Sequence, residues 1–364
     1  MHLYVHVPFC ARRCSYCDFA IAVRREVPSR AFVDAVLAEW RMWQDDPALE
    51  HVTSLGTVYF GGGTPSKLEP DSIGRLLDGL RAVRTVDAGA EITLEANPED
   101  VSPTAVASWR AAGVNRVSLG VQSFQPAVLA WMHRTHDPSA VHRAVATLRD
   151  GGIRDLSIDL IFAVPDTLQR DWAFDLDAAI ALAPEHLSVY GLTVEPGTPL
   201  GRWTARAEVE PAPDDRYAAE FLLAHQRLTD AGFEHYEVSN YGRAGFRARH
   251  NSAYWRRVPF IGLGPSAHSG FGRRRRWNVS AWAAYERAAM AGRPVVEAEE
   301  LLDDAQVRLE ELYLGLRTVE GLPAALLPSP AAWREAGWAE LRGDRVALTA
   351  EGWLRLDALV RSAA

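Results

Sequence analysis

The chain is poor in cysteine, in long apolar runs and in positive charge. It has 364 residues but only three cysteines, and its formal net charge is -8. Negative charge argues against broad nucleic-acid binding, because such binding depends on neutralising phosphates. No apolar stretch is long enough to span a bilayer. Since the first residues also lack the basic and apolar segments of a signal peptide, we expect a cytoplasmic protein.

Four consecutive arginines, at positions 273–276, are a local exception to this acidic composition. They lie between Phe271 and Trp277, which is more typical of a solvated strand or hairpin than of a nucleic-acid site. We therefore predict no nucleic-acid partner.

The first half of the chain alternates short apolar runs, which predict strands, with longer amphipathic segments, which predict helices. Such alternation indicates a parallel sheet. Because a dinucleotide-binding glycine fingerprint is missing, six such units favour an α/β fold with an incomplete (β/α)6 barrel. The predicted strands are 3–7, 57–60, 92–94, 116–121, 156–161 and 187–190; the predicted helices begin with one capped by Ser29 and continue over 70–83, 103–112, 138–149 and 168–182.

The pattern changes after about residue 235. From Tyr236 to Trp277 the chain is rich in glycine, arginine, histidine and aromatic residues. We place a core domain over residues 1–240 and a C-terminal domain over residues 241–364. Helical segments near 303–317 and 330–336, a strand over 345–348 and a final helix from Thr349 predict a smaller α/β or winged-helix-like domain.

The three cysteines are Cys10, Cys14 and Cys17, spaced C-x3-C-x2-C after the first predicted strand. Clustered thiols suit a reducing compartment, where they bind metal or perform redox chemistry. Thiolates are the usual ligands of iron–sulfur clusters. Three of them can bind three irons of a [4Fe-4S] cluster and leave the fourth iron open for the amino and carboxylate groups of S-adenosylmethionine (SAM).

A structural zinc site is the main alternative for these cysteines. Such a site normally has four ligands, often in two C-x2-C halves. The chain has no fourth cysteine, and His6, which could complete the set, lies in a strand where a histidine is more often packed. The spacing therefore favours the iron–sulfur cluster.

Polar residues at the ends of the other predicted strands point to a ligand site. Gly61, Gly62 and Gly63 follow the second strand, where glycines allow the backbone to approach a ligand closely, although alone they equally suit a plain turn. In a β/α barrel the carboxyl ends of the strands open onto one face. Glu95 is then placed for the methionine ammonium group, Gln122 and Asp159 for the ribose or a substrate, and Arg134 for a carboxylate.

Several motifs resemble the radical SAM proteins related to oxygen-independent coproporphyrinogen III oxidase. They are YVHVPFC at 4–10, YFGGGTPS at 59–66, LEANP at 94–98, GVQSF at 120–124 and YGLT at 190–193. The resemblance covers nearly the whole chain and implies the radical SAM fold. It also implies SAM contacts at Tyr4, Tyr16, Gly62, Gly63, Thr64, Glu95, Gln122, Arg134 and Asp159, with Thr193 as a weaker candidate.

Within this family the chain is most similar to the heme-chaperone branch. The enzyme branch, the coproporphyrinogen III dehydrogenases, has a further cysteine where this chain has Phe19. The sequence HNSAYW at 250–255 matches an HNxxYW motif of the chaperones. The resemblance implies that His250 binds heme, since a neutral imidazole suits heme iron. On pattern alone, packing between domains is the more usual role for such a residue, and His268 is a competing ligand.

The resemblance therefore implies a heme chaperone that carries heme to acceptor proteins such as respiratory enzymes, including membrane-associated ones. Its cofactors would be a [4Fe-4S] cluster, SAM and heme. The alternatives are a coproporphyrinogen III dehydrogenase and a zinc-bound structural protein.

Overall fold

Strands and helices alternate along most of the chain in the computed structural model, which describes residues 1–50 and 52–364. The strands are β1 His2–Val7, β2 Phe9–Cys10, β3 Ala22–Val23, β4 Ser54–Gly62, β5 Thr85–Ala96, β6 Arg116–Gln122, β7 Asp155–Phe162, β8 His186–Gly191, β9 Glu234–Glu237, β10 Asn240–Gly242, β11 Phe260–Leu263, β12 His268–Phe271, β13 Arg274–Asn278, β14 Val296–Leu301, β15 Leu322–Pro323, β16 Ala339–Arg342 and β17 Arg345–Leu348.

The helices confirm the amphipathic segments in position; α3 has the predicted ends, and the others differ at one or both ends. They are α1 Ser29–Met42, α2 Ser72–Arg81, α3 Pro103–Ala112, α4 Pro126–Trp131, α5 Pro138–Asp150, α6 Trp172–Ala181, α7 Pro199–Ala205, α8 Asp214–Asp230, α9 Arg249–Trp255, α10 Trp282–Met290, α11 Asp304–Leu316, α12 Pro330–Glu335, α13 Ala350–Trp353 and α14 Leu356–Ala363.

Within the described residues, twelve strands form one sheet in the order β14-β13-β12-β11-β1-β4-β5-β6-β7-β8-β10-β9. Strands β1 and β4 to β8 are parallel to one another and follow sequence order, which confirms the six predicted β/α units. The outer edge of β1 pairs with β11, with His2 opposite Phe260. Because β11 rather than β8 occupies this edge, the barrel is incomplete, as the sequence predicts.

The two faces of the central strands differ in chemistry. Successive side chains of a strand point to opposite faces. One face is apolar and packs under the helices, as Leu3, Leu119 and Ile158 do, each with 0% of its surface exposed. The other face is polar and lines the interior of the barrel. Its members on β5 to β8 are Thr93, Glu95, Ser118, Gln122, Ser157, Asp159, His186, Ser188 and Tyr190.

Helix α1 has the predicted apolar stripe but not the predicted cap. Phe32, Val36 and Trp40 are fully buried against the sheet. Ser29, expected as the N-cap, is instead the first helical residue. Its hydroxyl oxygen accepts a hydrogen bond from the backbone N–H of Glu69, so the side chain joins α1 to the segment before α2. The prediction of a Ser29 cap was wrong because a contact distant in sequence uses that hydroxyl.

The C-terminal segment contains the predicted helices and strand. Strands β15, β17 and β16 form a small antiparallel sheet, and α11 packs against α14. The large sheet continues past residue 240 through β11 to β14, so strands on both sides of the predicted domain boundary share it. The division at residue 240 stays a prediction.

Candidate cofactor-binding site

The three cysteines lie on a loop closed by a short parallel strand pair. Phe9 and Cys10 of β2 are opposite Ala22 and Val23 of β3. The backbone N–H of Arg24 donates to the carbonyl oxygen of Cys10 at 2.9 Å. This pairing fixes both ends of the loop that contains Cys14 and Cys17, so the thiols are held in one region of the surface.

All three cysteines line a cavity of about 480 Å³ at the carboxyl ends of the parallel strands. Each is half-buried and forms no disulfide. Burial is the main cause that raises the pKa of Cys10 and raises that of Cys17 to about 11. The thiols of Cys10 and Cys17 therefore stay protonated until a metal centre binds. A coordinating thiol loses its proton because the positive charge of the metal stabilises the thiolate.

The thiols are not arranged for a single metal ion. Across residues 1–50 and 52–364, no group of three His, Cys, Asp or Glu side chains is close enough to bind one ion together. A tetrahedral zinc site requires its ligand sulfurs at about 2.3 Å from one centre. In an iron–sulfur cluster each thiolate binds a different iron, so the ligands stand further apart. Three thiols without a fourth cysteine match a [4Fe-4S] cluster with one open iron better than a structural zinc site, which normally has four ligands.

The glycine loop is packed tightly against β1 and the cysteine loop. Gly62 has a φ of 108°, and a Cβ atom there would lie 2.5 Å from the His6 ring. A Cβ atom on Gly63 would lie 2.8 Å from the carbonyl oxygen of Phe9. Glycine is thus required at both positions by the protein's own backbone and side chains. This close approach brings Thr64 to the cysteine loop, where its hydroxyl donates to Cys10 Sγ at 3.4 Å.

Glu95 is held at the cavity wall by two donors. Tyr59 OH donates to Oε1 at 2.8 Å, and the backbone N–H of Gly62 donates to Oε2 at 3.0 Å. Burial outweighs these hydrogen bonds and raises the pKa of Glu95 to about 7, with the nearby Asp159 adding to the shift. A buried carboxylate with this pKa gains strongly from a cationic partner such as an ammonium group.

Arg134 enters the same cavity with its guanidinium partly committed to the protein. Its Nη2 donates to Asn97 Oδ1 and to the Gly120 carbonyl oxygen, both at 2.6 Å. Its Nη1 lies 3.9 Å from Cys14 Sγ. The charge therefore faces the cysteine loop, where it stabilises an anionic ligand.

Asp159 and Gln122 lie on the next two strands of the same wall. Asp159 accepts a hydrogen bond from Ser118 Oγ at 2.9 Å, and burial raises its pKa. Gln122 ends β6 with a φ of 69°, a left-handed conformation that turns the chain at the cavity rim. The two side chains are thus brought together with Glu95, as the strand-end argument predicts.

A buried polar chain continues from Asp159 along the cavity wall. Ser157 Oγ is 3.4 Å from Asp159 Oδ1 and 2.8 Å from His186 Nδ1. His186 Nε2 is in turn 2.8 Å from Tyr236 OH. Sequence reasoning missed these residues because it considered strand ends only. The available signal was polar residues at alternate positions within β6 to β8.

The predicted tyrosines occupy different places. Tyr16 lines the cavity and packs against a small apolar cluster formed by Val128, Met132, Ile161 and Val164. Tyr4 does not line it: its hydroxyl hydrogen-bonds His6 Nδ1 at 3.1 Å, and its ring stacks on Tyr59. Tyr4 therefore supports the wall from inside the barrel. Thr193, the weaker candidate, lies at the rim.

His250 is packed beneath this site. It is 1% exposed, with Nδ1 2.6 Å from Thr57 Oγ1 and Nε2 2.8 Å from Tyr254 OH. Burial lowers its pKa to about 3, so the ring is neutral. Neither nitrogen is open for a metal in this arrangement, which is the packing alternative raised from the sequence. His268 is instead exposed on β12, where its ring stacks on Trp277.

Comparisons with known proteins agree with this fold and site. The model of the Radical SAM superfamily matches residues 4–177, which include the cysteine loop, the glycine loop and Glu95. The fold and the site therefore define a radical SAM protein. The structure is similar to coproporphyrinogen III oxidase (HemN) of Escherichia coli, with a TM-score of 0.81 and 22% identity, over 99% of this chain and 89% of that one. At this identity the likeness shows the fold alone.

Two curated relatives narrow the class. The chain is 39% identical to the heme chaperone HemW of Mycobacterium tuberculosis, over 99% of this chain and 94% of that protein. It is 40% identical to HemW of Escherichia coli, over 74% of this chain and 69% of that protein. The chain belongs to the HemW family.

Proposed function

We propose that this protein is a heme chaperone that binds heme and passes it to acceptor proteins such as respiratory enzymes. A [4Fe-4S] cluster on Cys10, Cys14 and Cys17 and SAM in the adjoining cavity are its further cofactors. The names of the HemW relatives support the heme role. The observation that carries the cofactor assignment is the meeting of three thiols and Glu95 in one cavity.

The residues of this cavity divide the work of binding. The thiols provide the sulfur ligands of the cluster, and Glu95 receives the methionine ammonium group. The guanidinium of Arg134 lies beside Cys14, where it would bind a carboxylate such as that of SAM. Gln122 and Asp159 offer hydrogen bonds to ribose hydroxyls. When bound, the cluster can supply one electron to the sulfonium of SAM. The same donor set supports the alternative function, oxidative decarboxylation of coproporphyrinogen III.

Phe19 favours the chaperone over that enzyme. It stands where the dehydrogenase branch has its further cysteine, and its side chain is 56% exposed at the edge of the cysteine loop. We therefore propose that the protein does not convert coproporphyrinogen.

The heme ligand is a proposal with two candidates. Ligation by His250 requires the loss of its hydrogen bond to Thr57 or Tyr254. It also requires the barrel to open where His250 is packed beneath the cavity. His268 requires neither change because its ring is exposed. An exposed imidazole beside Trp277 suits a flat ligand that has to be released again to an acceptor.

The surface chemistry of the arginine run does not favour a nucleic-acid partner. Each arginine of the run at 273–276 is paired with a carboxylate: Asp304, Glu299, Glu310 and Asp46 in turn. The run is therefore internally neutralised, as a solvated hairpin should be. Among the described residues, no helix has the length and hydropathy needed to cross a membrane. We propose a cytoplasmic location.

Anaerobic reconstitution with iron and sulfide tests the proposal. The parent should bind close to four irons and absorb broadly, whereas Cys14→Ala should form no cluster. The same preparation should bind heme at about one to one and convert no coproporphyrinogen with SAM and reductant. Heme-free protein that converts coproporphyrinogen would establish the alternative instead.

A further inference from the structure

The cofactor cavity extends along the whole length of β6. Arg116 is the first residue of this strand and Gln122 is the last, and both line the cavity. At about 3.3 Å per residue the two positions lie about 20 Å apart. His186, the first residue of β8, also lines the cavity. The space therefore reaches from the carboxyl ends of the strands, where the cysteine loop lies, to their amino ends.

Small hydroxyl side chains leave this space open. The interior of a β/α barrel is usually filled by bulky branched side chains. Here four adjacent strands, β5 to β8, present a threonine and three serines to the cavity instead. We call the space that they bound together with the first residues of β6 and β8 the inner chamber; its residues are Thr93, Arg116, Ser118, Ser157, His186 and Ser188.

Arg116 has a buried guanidinium nitrogen that the protein does not use. Its side chain is only 3% exposed. Nη1 donates to both carboxylate oxygens of Asp155, at 2.7 and 2.9 Å, and to the Phe246 carbonyl oxygen at 3.2 Å. Nη2 has no hydrogen-bond partner among residues 1–50 and 52–364. Because arginine stays charged in proteins and an unpaired buried donor is costly, this nitrogen favours an acceptor supplied by a ligand.

A second polar group without a partner lies beside it. Thr93 is opposite Arg116 in the β5–β6 pair and is 1% exposed. Within the part of the chain that the structure describes, its hydroxyl has no hydrogen-bond partner either. Buried polar groups are normally hydrogen-bonded, so two free ones at one register position indicate a place where a ligand completes the pairing.

The inner chamber offers one positive charge to such a ligand. Burial lowers the pKa of His186 well below its ordinary value, so the ring is neutral. Its two nitrogens are each 2.8 Å from a hydroxyl oxygen, of Ser157 and of Tyr236. Asp159, nearer the carboxyl ends, already accepts a hydrogen bond from Ser118. One cation and one free hydroxyl suit a monoanion such as a carboxylate better than a phosphate dianion.

We propose that the inner chamber binds a small hydroxy acid, with its carboxylate on Arg116 and Thr93 and its hydroxyl group on the serines. Each serine oxygen has two lone pairs and can accept a hydrogen bond from such a hydroxyl. This site goes beyond the proposed function, because it requires neither heme nor the cluster. It is also separate from SAM, whose carboxylate is proposed at the open iron beside the cysteine loop.

Equilibrium dialysis of reconstituted protein against radiolabelled L-lactate tests the site. Lactate is the probe because it is a small hydroxy acid that carries one negative charge. We expect saturable binding at about one lactate per chain. Lactamide, its neutral analogue, should bind at least about tenfold more weakly, because the charge-assisted hydrogen bond is lost. Saturating SAM should leave the lactate affinity within about twofold of its value without SAM.

Substitutions in the inner chamber separate its two donors. Thr93→Val removes the free hydroxyl at nearly constant shape and should weaken lactate binding about threefold to tenfold, whereas Thr93→Ser should retain most of it. Arg116→Lys retains a cation for Asp155 but lacks the second nitrogen, and should weaken binding about tenfold or more.

The matched control removes another buried hydroxyl. Ser72 lies on α2, does not line the cavity, and its hydroxyl also lacks a partner within residues 1–50 and 52–364. Ser72→Ala should leave lactate binding at the parent value. Thr93→Val breaks no hydrogen bond of the described protein, so its iron content and SAM affinity should equal those of the parent.

Four results would overturn the inference. The first is a parent protein that shows no saturable lactate binding, which would leave ordered water as the partner of Arg116 and Thr93. The second is equal lactate affinity in Thr93→Val and the parent. The third is displacement of lactate by SAM, and the fourth is tighter binding of inorganic phosphate than of lactate. Lactate binding is measured whether or not a cluster assembles, so failure of the cluster counts against the proposed function alone.

Discussion

The backbone N–H of Gly62 donates a 3.0 Å hydrogen bond to Oε2 of Glu95. The last residue of β4 thus orients an acid near the end of β5, and Tyr59 donates to the other carboxylate oxygen. The glycine loop and the acid therefore form one structural unit, although they are more than thirty residues apart.

Replacing Glu95 should separate charge from shape at this site. Glu95→Gln should weaken SAM binding by about 1.5–3 kcal/mol, because a charge-assisted contact to the ammonium group is lost. The pKa of about 7 predicts that parent affinity rises with pH through neutrality, as the carboxylate forms, and then levels. Titration calorimetry of reconstituted protein between about pH 6 and about pH 8 measures both effects, with Glu340→Gln as control. Equal affinity in variant and parent would remove Glu95 from the SAM site.

Adding one methyl group at Gly62 should disturb the cysteine loop. Gly62→Ala forces a non-glycine residue to a φ of 108° and places Cβ 2.5 Å from the His6 ring. We expect a loss of about 2 kcal/mol or more in the free energy of unfolding and reduced iron content. Gly89→Ala is the control, since nothing lies within 4 Å of its Cβ position. Urea unfolding compares the two, and equal stabilities would show that the loop adapts.

Glu39 should make stability depend on pH. It is buried between α1 and the sheet, and burial raises its pKa to about 7 despite hydrogen bonds from Gly264, Asn278 and Tyr285. The folded state then holds its proton to higher pH than the unfolded state. The stability it contributes is present in full below about pH 4.5 and is lost as pH rises towards about 7, by the order of 3 kcal/mol.

Glu39→Gln should flatten this slope, because the amide does not titrate. Urea midpoints at about pH 5 and about pH 8 measure it, with the exposed Glu335→Gln as control. An unchanged slope in Glu39→Gln would assign the pH dependence to other groups.

The two candidate heme ligands should separate by stability. His250→Ala removes two buried hydrogen bonds and leaves Thr57 and Tyr254 without this partner, so unfolding should become easier by about 2–4 kcal/mol. His268→Ala alters an exposed ring and should change stability by less than about 0.5 kcal/mol while shifting the Soret band of bound heme. If the Soret band changed only in His250 variants that still fold stably, the heme ligand would be His250 and not His268.

Much of the fold could be predicted because its signals are local. Helix α3 occupies the predicted residues, since Pro103 sets its first turn and Ser102 caps it. The six parallel strands were found from their apolar residues. The pairing of β1 with β11 could not be predicted, because it joins segments whose individual patterns do not identify a partner.

The residues of the site also differ in how far local sequence signals could predict their positions. The cysteines, Glu95 and Asp159 could be placed together because parallel strands open onto one face. Tyr4 stays a predicted SAM contact, although its side chain stacks on Tyr59 and does not line the cavity. His186 and its polar neighbours were overlooked because inward-facing residues of a strand interior carry no motif. Their role follows only from distances between strands.

The pairing of His2 with Phe260 also sets the order in which the chain can be completed. During synthesis, β1 emerges first, but its outer partner is made more than 250 residues later. Until then one edge of the first strand has exposed N–H and C=O groups that invite pairing with another chain. The nascent protein therefore depends on its last third to protect its first strand, and truncated products should be the form most prone to aggregate.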